Sequence, residues 1–374
     1  MNRARSATAA PTRTVLLIAL GLLFGCGAED TLCPEGFHSD SEGRCLELPG
    51  EPQPELRVLV GSLELTNVEA IEAFCDEYDA ITGDLTVDAP ELAAIDALAC
   101  LQRVGGTLRI DDQPALTSVE LPLLRRVGGD LYVQGNPQQR TLLLPALEQV
   151  EGGLIVQYLP RLEELVLPSL HSVKRFLSFY RTGGQRLILP ELLTVGEHFV
   201  DEGTKPIEFG APSTEALNPH HVLYIRVNLS LQEVSAPRLS SVAGVLKISS
   251  NEVLASVDMP ALEELGAGLY LSFGEVLQVF ELPALERIGG FLYVQRSPVR
   301  EFSLPALGEV KSDVFVQHNP FMTILELPEL ADVGGSFFVT DNPSLAGSAV
   351  EELVDDIGEE NISGPINTSG NGPG

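Results

Sequence analysis

"LPALERIGGFLYVQRSP" occupies residues 282–298, and "LPALEQVEGGLIVQYLP" occupies residues 144–160. The two stretches begin 138 residues apart and share most of their letters. The shared core reads apolar-Gly-Gly-x-Leu-x-Val. Anchored on its first apolar residue, it recurs at Leu59, Ile81, Val104, Val127, Val150, Val173, Val195, Pro219, Val242, Leu265, Ile288, Val310 and Val333, in steps of 22 to 24 residues. Pro219 is placed only by the Leu223-x-Ile225 that follows it. A second signature, Leu-Pro-x-Leu, sits 16 or 17 residues past most anchors, at Leu121, Leu144, Leu167, Leu189, Met259, Leu282, Leu304 and Leu327, with Ala236 as a weaker copy. The most degraded stretch is 196–221. Pro212 there falls where Pro190 falls in the preceding coil, so the repeat is read as crossing it without a domain break.

A fixed period of this length predicts a solenoid, in which stacked coils bury a core that no single repeat could bury. Alternation sets the faces. Leu108/Ile110, Leu131/Val133, Leu154/Val156, Leu246/Ile248, Leu292/Val294 and Phe337/Val339 point inward, and the residues between them point outward. The same strand recurs in every coil, so neighbouring coils pair into a parallel sheet. The Gly-Gly pair admits a sharp corner before the strand. Asn-Pro at Asn136, Asn319 and Asn342, with Asn251 in the same column, turns the chain after it. The expected fold is mainly β: a parallel β-solenoid of about 13 coils of 22–24 residues, closed by short helical caps. Val68 to Phe74 reads as one cap. The other opens on a capping box, Ser348-Ala349-Val350-Glu351, and stops at Gly358. A last coil, "ISGPINTSGNG", follows it.

The N-terminal residues lie outside this pattern. Arg3, Arg5 and Arg13 precede an apolar run from Val15 to Phe24, which is too short to span a membrane and suits a signal peptide. It ends in Leu23-Phe24-Gly25-Cys26, which looks like a bacterial lipobox. The expected organisation is a lipoprotein signal peptide over 1–25, a segment over 26–57 carrying the lipidated Cys26, a small loop and a tether, and the solenoid over 58–374. The loop is "CPEGFHSDSEGRC". The tether, "LPGEPQPEL", favours extended polyproline II, and about ten such residues reach roughly 30 Å.

The chain has five cysteines. Assigning Cys26 to lipid leaves Cys33, Cys45, Cys75 and Cys100, an even set suited to an oxidising, exported compartment. Four cysteines allow three connectivities, of which the local pairs Cys33–Cys45 and Cys75–Cys100 are favoured. The net charge is −30, and loss of residues 1–25 removes three arginines and no acid, giving −33. Such a chain is not expected to bind nucleic acid.

No metal-ligand spacing joins the six histidines, His38, His171, His198, His220, His221 and His318. No nucleophile elbow or P-loop lysine occurs, and no cofactor is implied. Asp111-Asp112 and Asp201-Glu202 are the acid pairs that a carbohydrate-active β-helix enzyme would use; solvated turn acids are the simpler reading. Asp201 is unusual in occupying an inward column.

One constellation points to recognition. Five residues past the anchor, the outward position holds Tyr132, Tyr224, Tyr270, Tyr293, Phe315 and Phe338. Two residues further lie Gln134, Gln157, Gln295 and Gln317. Aromatic and amide stripes on one face suit a sugar or peptide ligand, and they equally suit a ladder that stabilises the sheet.

Leu131-x-Val133-x-x-Asn136 resembles the Leu-x-Leu-x-x-Asn of leucine-rich repeats. The Gly-Gly-x-Leu-x-Ile corner, the Cys75…Cys100 pair and the terminal "ISGPINTSGNG" are more similar to the receptor L-domain family of insulin- and EGF-type receptors and fungal wall proteins. The resemblance spans about residues 59–370. It implies a right-handed solenoid used for binding rather than catalysis. The chain departs from that family in its lipobox and in having more continuous coils, so no receptor ligand or contact residue carries over. The expected function is a non-catalytic binding or adhesion module on a lipoprotein, at the outer membrane or cell surface, with a protein or glycan ligand. A structural envelope protein without a specific ligand is the alternative, and a carbohydrate-active β-helix enzyme is the third reading.

Overall fold

The computed structural model describes residues 55–196 and 222–373, and the strand pair Phe37–Ser39 and Cys45–Glu47. The chain divides into two compact units, residues 1–55 and residues 56–374. In the first, the two strands pair antiparallel with Ser39 opposite Cys45. Cys26, Cys33 and most of the tether lie outside the described residues, as do Asp201, Glu202, His220 and His221.

The second unit is a parallel β-solenoid of about 11 turns. One coil shows how the repeat folds. Arg126–Val127 forms a short corner strand, Leu131–Gln134 the long strand, and Thr141–Leu143 a third side. The corner strands stack into a twelve-stranded sheet running from Val58–Leu59 to Asp332–Val333, and the long strands into a thirteen-stranded sheet from Leu63–Leu65 to Ile366–Asn367. The third side breaks into three shorter sheets. Neighbouring coils pair in the register that the alternation predicts: Leu131 faces Leu154 and Leu108, and Leu292 faces Leu269 and Val314. All of these leucines and Val314 are at most 1% exposed. They belong to one core cluster that runs from Leu65 to Ile362.

The expected 13 coils overcount the turns, and one of the thirteen anchors carries no rung. Thr194–Val195 pairs directly with Ser241–Val242, and Leu177–Thr182 pairs directly with Val222–Arg226. No rung lies between them, so Pro219 anchors no coil. In the preceding coil four residues separate Val173 from Leu177, whereas 28 separate Val195 from Leu223. The excess of 24 residues is close to one period, so spacing alone made an insertion look like a coil.

The turns divide their work differently from the sequence reading. Leu-Pro-x-Leu makes a β-turn in which the second leucine N–H donates to the first leucine carbonyl, as from Leu307 to Leu304 at 3.2 Å. The Gly-Gly corner is required by contact between coils rather than by a left-handed backbone. A Cβ on Gly128 would stand 2.2 Å from the carbonyl oxygen of Gly105 in the coil before. The left-handed residue lies instead at the far end of the long strand. Asp112, Tyr158, Arg181, Val227, Ser250, Phe273, Arg296, His318 and Asp341 hold φ between 48° and 56° there.

The column that follows carries a polar ladder through the core. Asn136, Asn228, Asn251, Asn319 and Asn342 are at most 3% exposed. Each asparagine Oδ1 accepts a backbone N–H from the coil before, and each Nδ2 donates to a carbonyl of that coil, as Asn319 does with Ser297 and Val294. Asn371 ends the ladder by accepting from the Asn342 N–H. Their sequence context marks these side chains as turn formers. They also fasten each turn to its neighbour.

Both caps are present. Val68–Glu77 is a helix capped by Asn67, whose side chain accepts from the Ala70 N–H, and it buries Ile71 and Phe74. The Gly347–Ile357 helix buries Val350, Leu353, Val354 and Ile357 and stops at Gly358 with φ 82°. Its start departs from the expected capping box. Ala346 is the N-cap and Ser348 already lies within the first turn, without a side-chain cap bond. The terminal coil forms as expected, with Ile366 opposite Phe337. No helix among the described residues is long and apolar enough to cross a membrane.

Candidate functional site

The outward face of the long sheet carries the candidate residues, and register decides which of them meet. Tyr270 is paired with Tyr293, Tyr293 with Phe315, and Phe315 with Phe338. The rings follow the backbone. Tyr270 and Tyr293 stack at 5.1 Å and 5°, Tyr293 meets Phe315 at 5.8 Å, and Phe315 meets Phe338 edge-on at 5.3 Å. Gln295 and Gln317 are paired beside them. The Tyr293 hydroxyl donates to Gln295 Oε1 at 2.9 Å, and Gln295 Nε2 donates to the Tyr270 hydroxyl at 3.2 Å. The Gln295 amide therefore orients both tyrosine hydroxyls.

Tyr224 joins this row through a cation. Lys247 occupies the aromatic column between Tyr224 and Tyr270, with its Nζ 4.4 Å from the Tyr270 ring centre and 5.8 Å from that of Tyr224. Beyond Tyr224 the row changes column. Tyr180 lies 6.1 Å from Tyr224 and Tyr158 lies 5.4 Å from Tyr180, with the Arg181 guanidinium over both rings. Sequence reasoning missed Tyr158, Tyr180 and Lys247. Tyr180 sits in the glutamine column and Tyr158 at a turn position, so no single periodic column contains the row.

Tyr132 and Gln134 do not belong to it, and Gln157 meets it only as the strand partner of Tyr180. Ile155 and Ser178 separate Tyr132 from Tyr224. The Arg109 guanidinium lies 4.2 Å from the Tyr132 ring, whose hydroxyl donates to Asp130, and Gln157 donates to the Ser178 hydroxyl. Arg109 in turn pairs with Asp111 at 2.8 Å, so Asp111 is already engaged and Asp112 is a left-handed turn residue. Among the described residues, no group of three or more His, Cys, Asp or Glu side chains could hold a metal ion.

The aromatic column is less exposed than an open ridge would be. Tyr270 is only 9% exposed and forms a second small apolar cluster with Val245, flanked by Tyr224, Ala267, Phe291 and Tyr293. Burial and the neighbouring Tyr270 push the Tyr293 phenol above its ordinary pKa. The Lys247 ammonium is pulled down to about 8, first by burial and then by the Arg226 charge. Arg226 donates to the Tyr224 hydroxyl at 2.9 Å, and that bond raises its own pKa.

Cys75 and Cys100 are joined in a disulfide with their Cα atoms 5.6 Å apart, which ties the first helix to the next coil. Comparison with protein-family profiles, with curated proteins and with solved structures finds no match to this chain.

Proposed function

We propose that this protein is an exported, lipid-anchored protein of the cell envelope, whose solenoid binds a glycan or protein ligand without converting it. The supporting observation is the aromatic row on the long sheet, Tyr158 to Phe338, with Gln295 and Gln317 beside it. Stacked rings with oriented hydroxyls and amides offer both a flat apolar contact and directional hydrogen bonds, as sugar and peptide ligands require. The first-coil disulfide and the terminal coil support a receptor-L-like arrangement. The lipobox at Leu23-Phe24-Gly25-Cys26 supports anchoring through Cys26, with the outer membrane or cell surface as the location.

The test is a glycan and peptide binding screen with the full-length chain in detergent, followed by Tyr293→Ser combined with Phe315→Ser. Both rings are half-buried, and the fold is expected to survive their loss. Loss of binding with retained β-structure supports the reading. Unfolding assigns the row to sheet stability, and unchanged binding places the ligand elsewhere. Cys26→Ser is expected to release the protein from membranes; continued membrane partitioning with the same lipid mass would refute the anchor.

A further inference from the structure

A protein with 53 acidic residues and only 23 basic ones leaves carboxylates out of the middle of its long sheet. The consecutive strands Leu154–Leu159, Leu177–Thr182, Val222–Arg226, Val245–Ser249, Gly268–Ser272, Phe291–Gln295 and Val314–Gln317 contain no Asp or Glu. The same strands carry Arg181, Arg226 and Lys247, and Arg296 follows directly. Lys247 and Arg226 form no ion pair among the described residues. The groups facing Lys247 are the Tyr224 and Tyr270 rings and the Arg226 guanidinium, none of which carries negative charge at neutral pH.

Beside these cations lie two unused hydroxyls. Ser249 and Ser272 are paired with each other, with Arg226 on one side and Gln295 on the other. They are 3% and 2% exposed, and neither Oγ has a hydrogen-bond partner. Lys247 is 4% exposed. A buried ammonium without an anion and two buried hydroxyls without acceptors are each unfavourable, and a negatively charged oxygen group that reached them would relieve them. Half-buried Tyr224, Arg226, Tyr293 and Gln295 frame the group, and the aromatic row leads away from it.

We infer that this patch binds an acidic oligosaccharide, with its carboxylate or sulfate at Lys247, Arg226, Ser249 and Ser272 and its neighbouring sugar rings along Tyr293, Phe315 and Phe338. The inference rests on the proposed binding function and names the ligand class. The protein's overall negative charge does not prevent this, because at physiological salt charges beyond about 8 Å are largely screened. A neutral glycan would leave Lys247 unpaired, and an acidic peptide would not use the flat ring surfaces in succession.

The experiment is calorimetry on the full-length chain in detergent. The probes are hexagalacturonate, its methyl ester, a sulfated hexasaccharide and hexaglutamate. At least one acidic sugar is expected to bind, distinguishing carboxylate from sulfate as the charge source, while the uncharged ester binds weakly. Lys247→Met and Arg226→Gln are each expected to weaken the acidic sugar by at least ~30-fold, as when one partner of a buried charge pair is removed. Lys311→Met, on the exposed corner, should leave it unchanged. Circular dichroism checks the fold of each variant, and Lys247→Met is expected to melt no lower than the parent. Affinity should be level between about pH 5 and 7, where the sugar carboxylates are ionised and Lys247 is protonated, and fall through about pH 8 as Lys247 loses its proton, a fall absent in Lys247→Met. Ester and acid binding equally, with Tyr293→Ser still abolishing both, would overturn the anion site and leave the glycan reading standing. Binding of neither acidic sugar, or tighter binding of hexaglutamate, would overturn the inference outright.

Discussion

Replacing Asn319 by alanine removes one link of the polar ladder, and the structure sets the size of the effect. Asn319 Oδ1 accepts the Ser297 N–H at 3.0 Å, and Nδ2 donates to the Val294 carbonyl and to Asn342 Oδ1, both at 3.1 Å. Ser297 is 2% exposed and its N–H has no other partner among the described residues, so alanine leaves it buried and unpaired. Asn342 Oδ1 keeps the Asn319 backbone N–H at 3.0 Å and is not orphaned. One orphaned buried donor costs about 1–3 kcal/mol and each lost bond about 0.5–1.5 kcal/mol, so the expected loss is about 2–6 kcal/mol. Urea unfolding should show a lower midpoint, and hydrogen exchange at Ser297 should accelerate far more than at Leu131, many coils away. A reduced urea slope would mark uncoupling of the C-terminal coils, which a nearest-neighbour solenoid permits. A loss below about 1 kcal/mol with Ser297 still protected would show that the turn holds itself without the ladder.

Leu292→Ala, in the inward column between Leu269 and Val314, should cost about 2–5 kcal/mol, whereas Gln317→Ala on the outward face should cost under about 1 kcal/mol; equal melting losses would contradict the register. Val227 holds φ 55°, a strained value for a β-branched residue, so Val227→Gly should stabilise by about 1 kcal/mol, while the same change at the exposed strand residue Val279 should destabilise by about as much; denaturation curves showing both destabilised would refute the strain argument. Replacing both Cys75 and Cys100 by alanine opens a loop closed across 25 residues and should cost about 3 kcal/mol, felt first in the N-terminal coils; unchanged exchange in Ile71 and Phe74 would argue against that role.

Much of the fold is legible along the chain because its determinants are local. The period, the inward pair Leu292 and Val294, and the proline turns each depend on residues within one coil. The left-handed turn is not legible, since Tyr158, Arg181 and Val227 hold it without glycine. Packing against the neighbouring coils imposes that conformation, and no local preference announces it.

Sequence by itself determined that the chain is a parallel solenoid, which side chains face its core, and that Cys75 and Cys100 fall about one coil apart. Only the tertiary structure decided how many coils there are, because an insertion near one period in length and a true coil have the same spacing, and strand pairing alone separates them. It also decided the composition of the candidate site. Tyr158, Tyr180 and Tyr224 meet across two strands and a turn, and Lys247 completes the row between Tyr224 and Tyr270. Residues about 23 or more positions apart become neighbours only when coils stack, and the twist and register of that stacking are properties of the whole sheet rather than of any repeat.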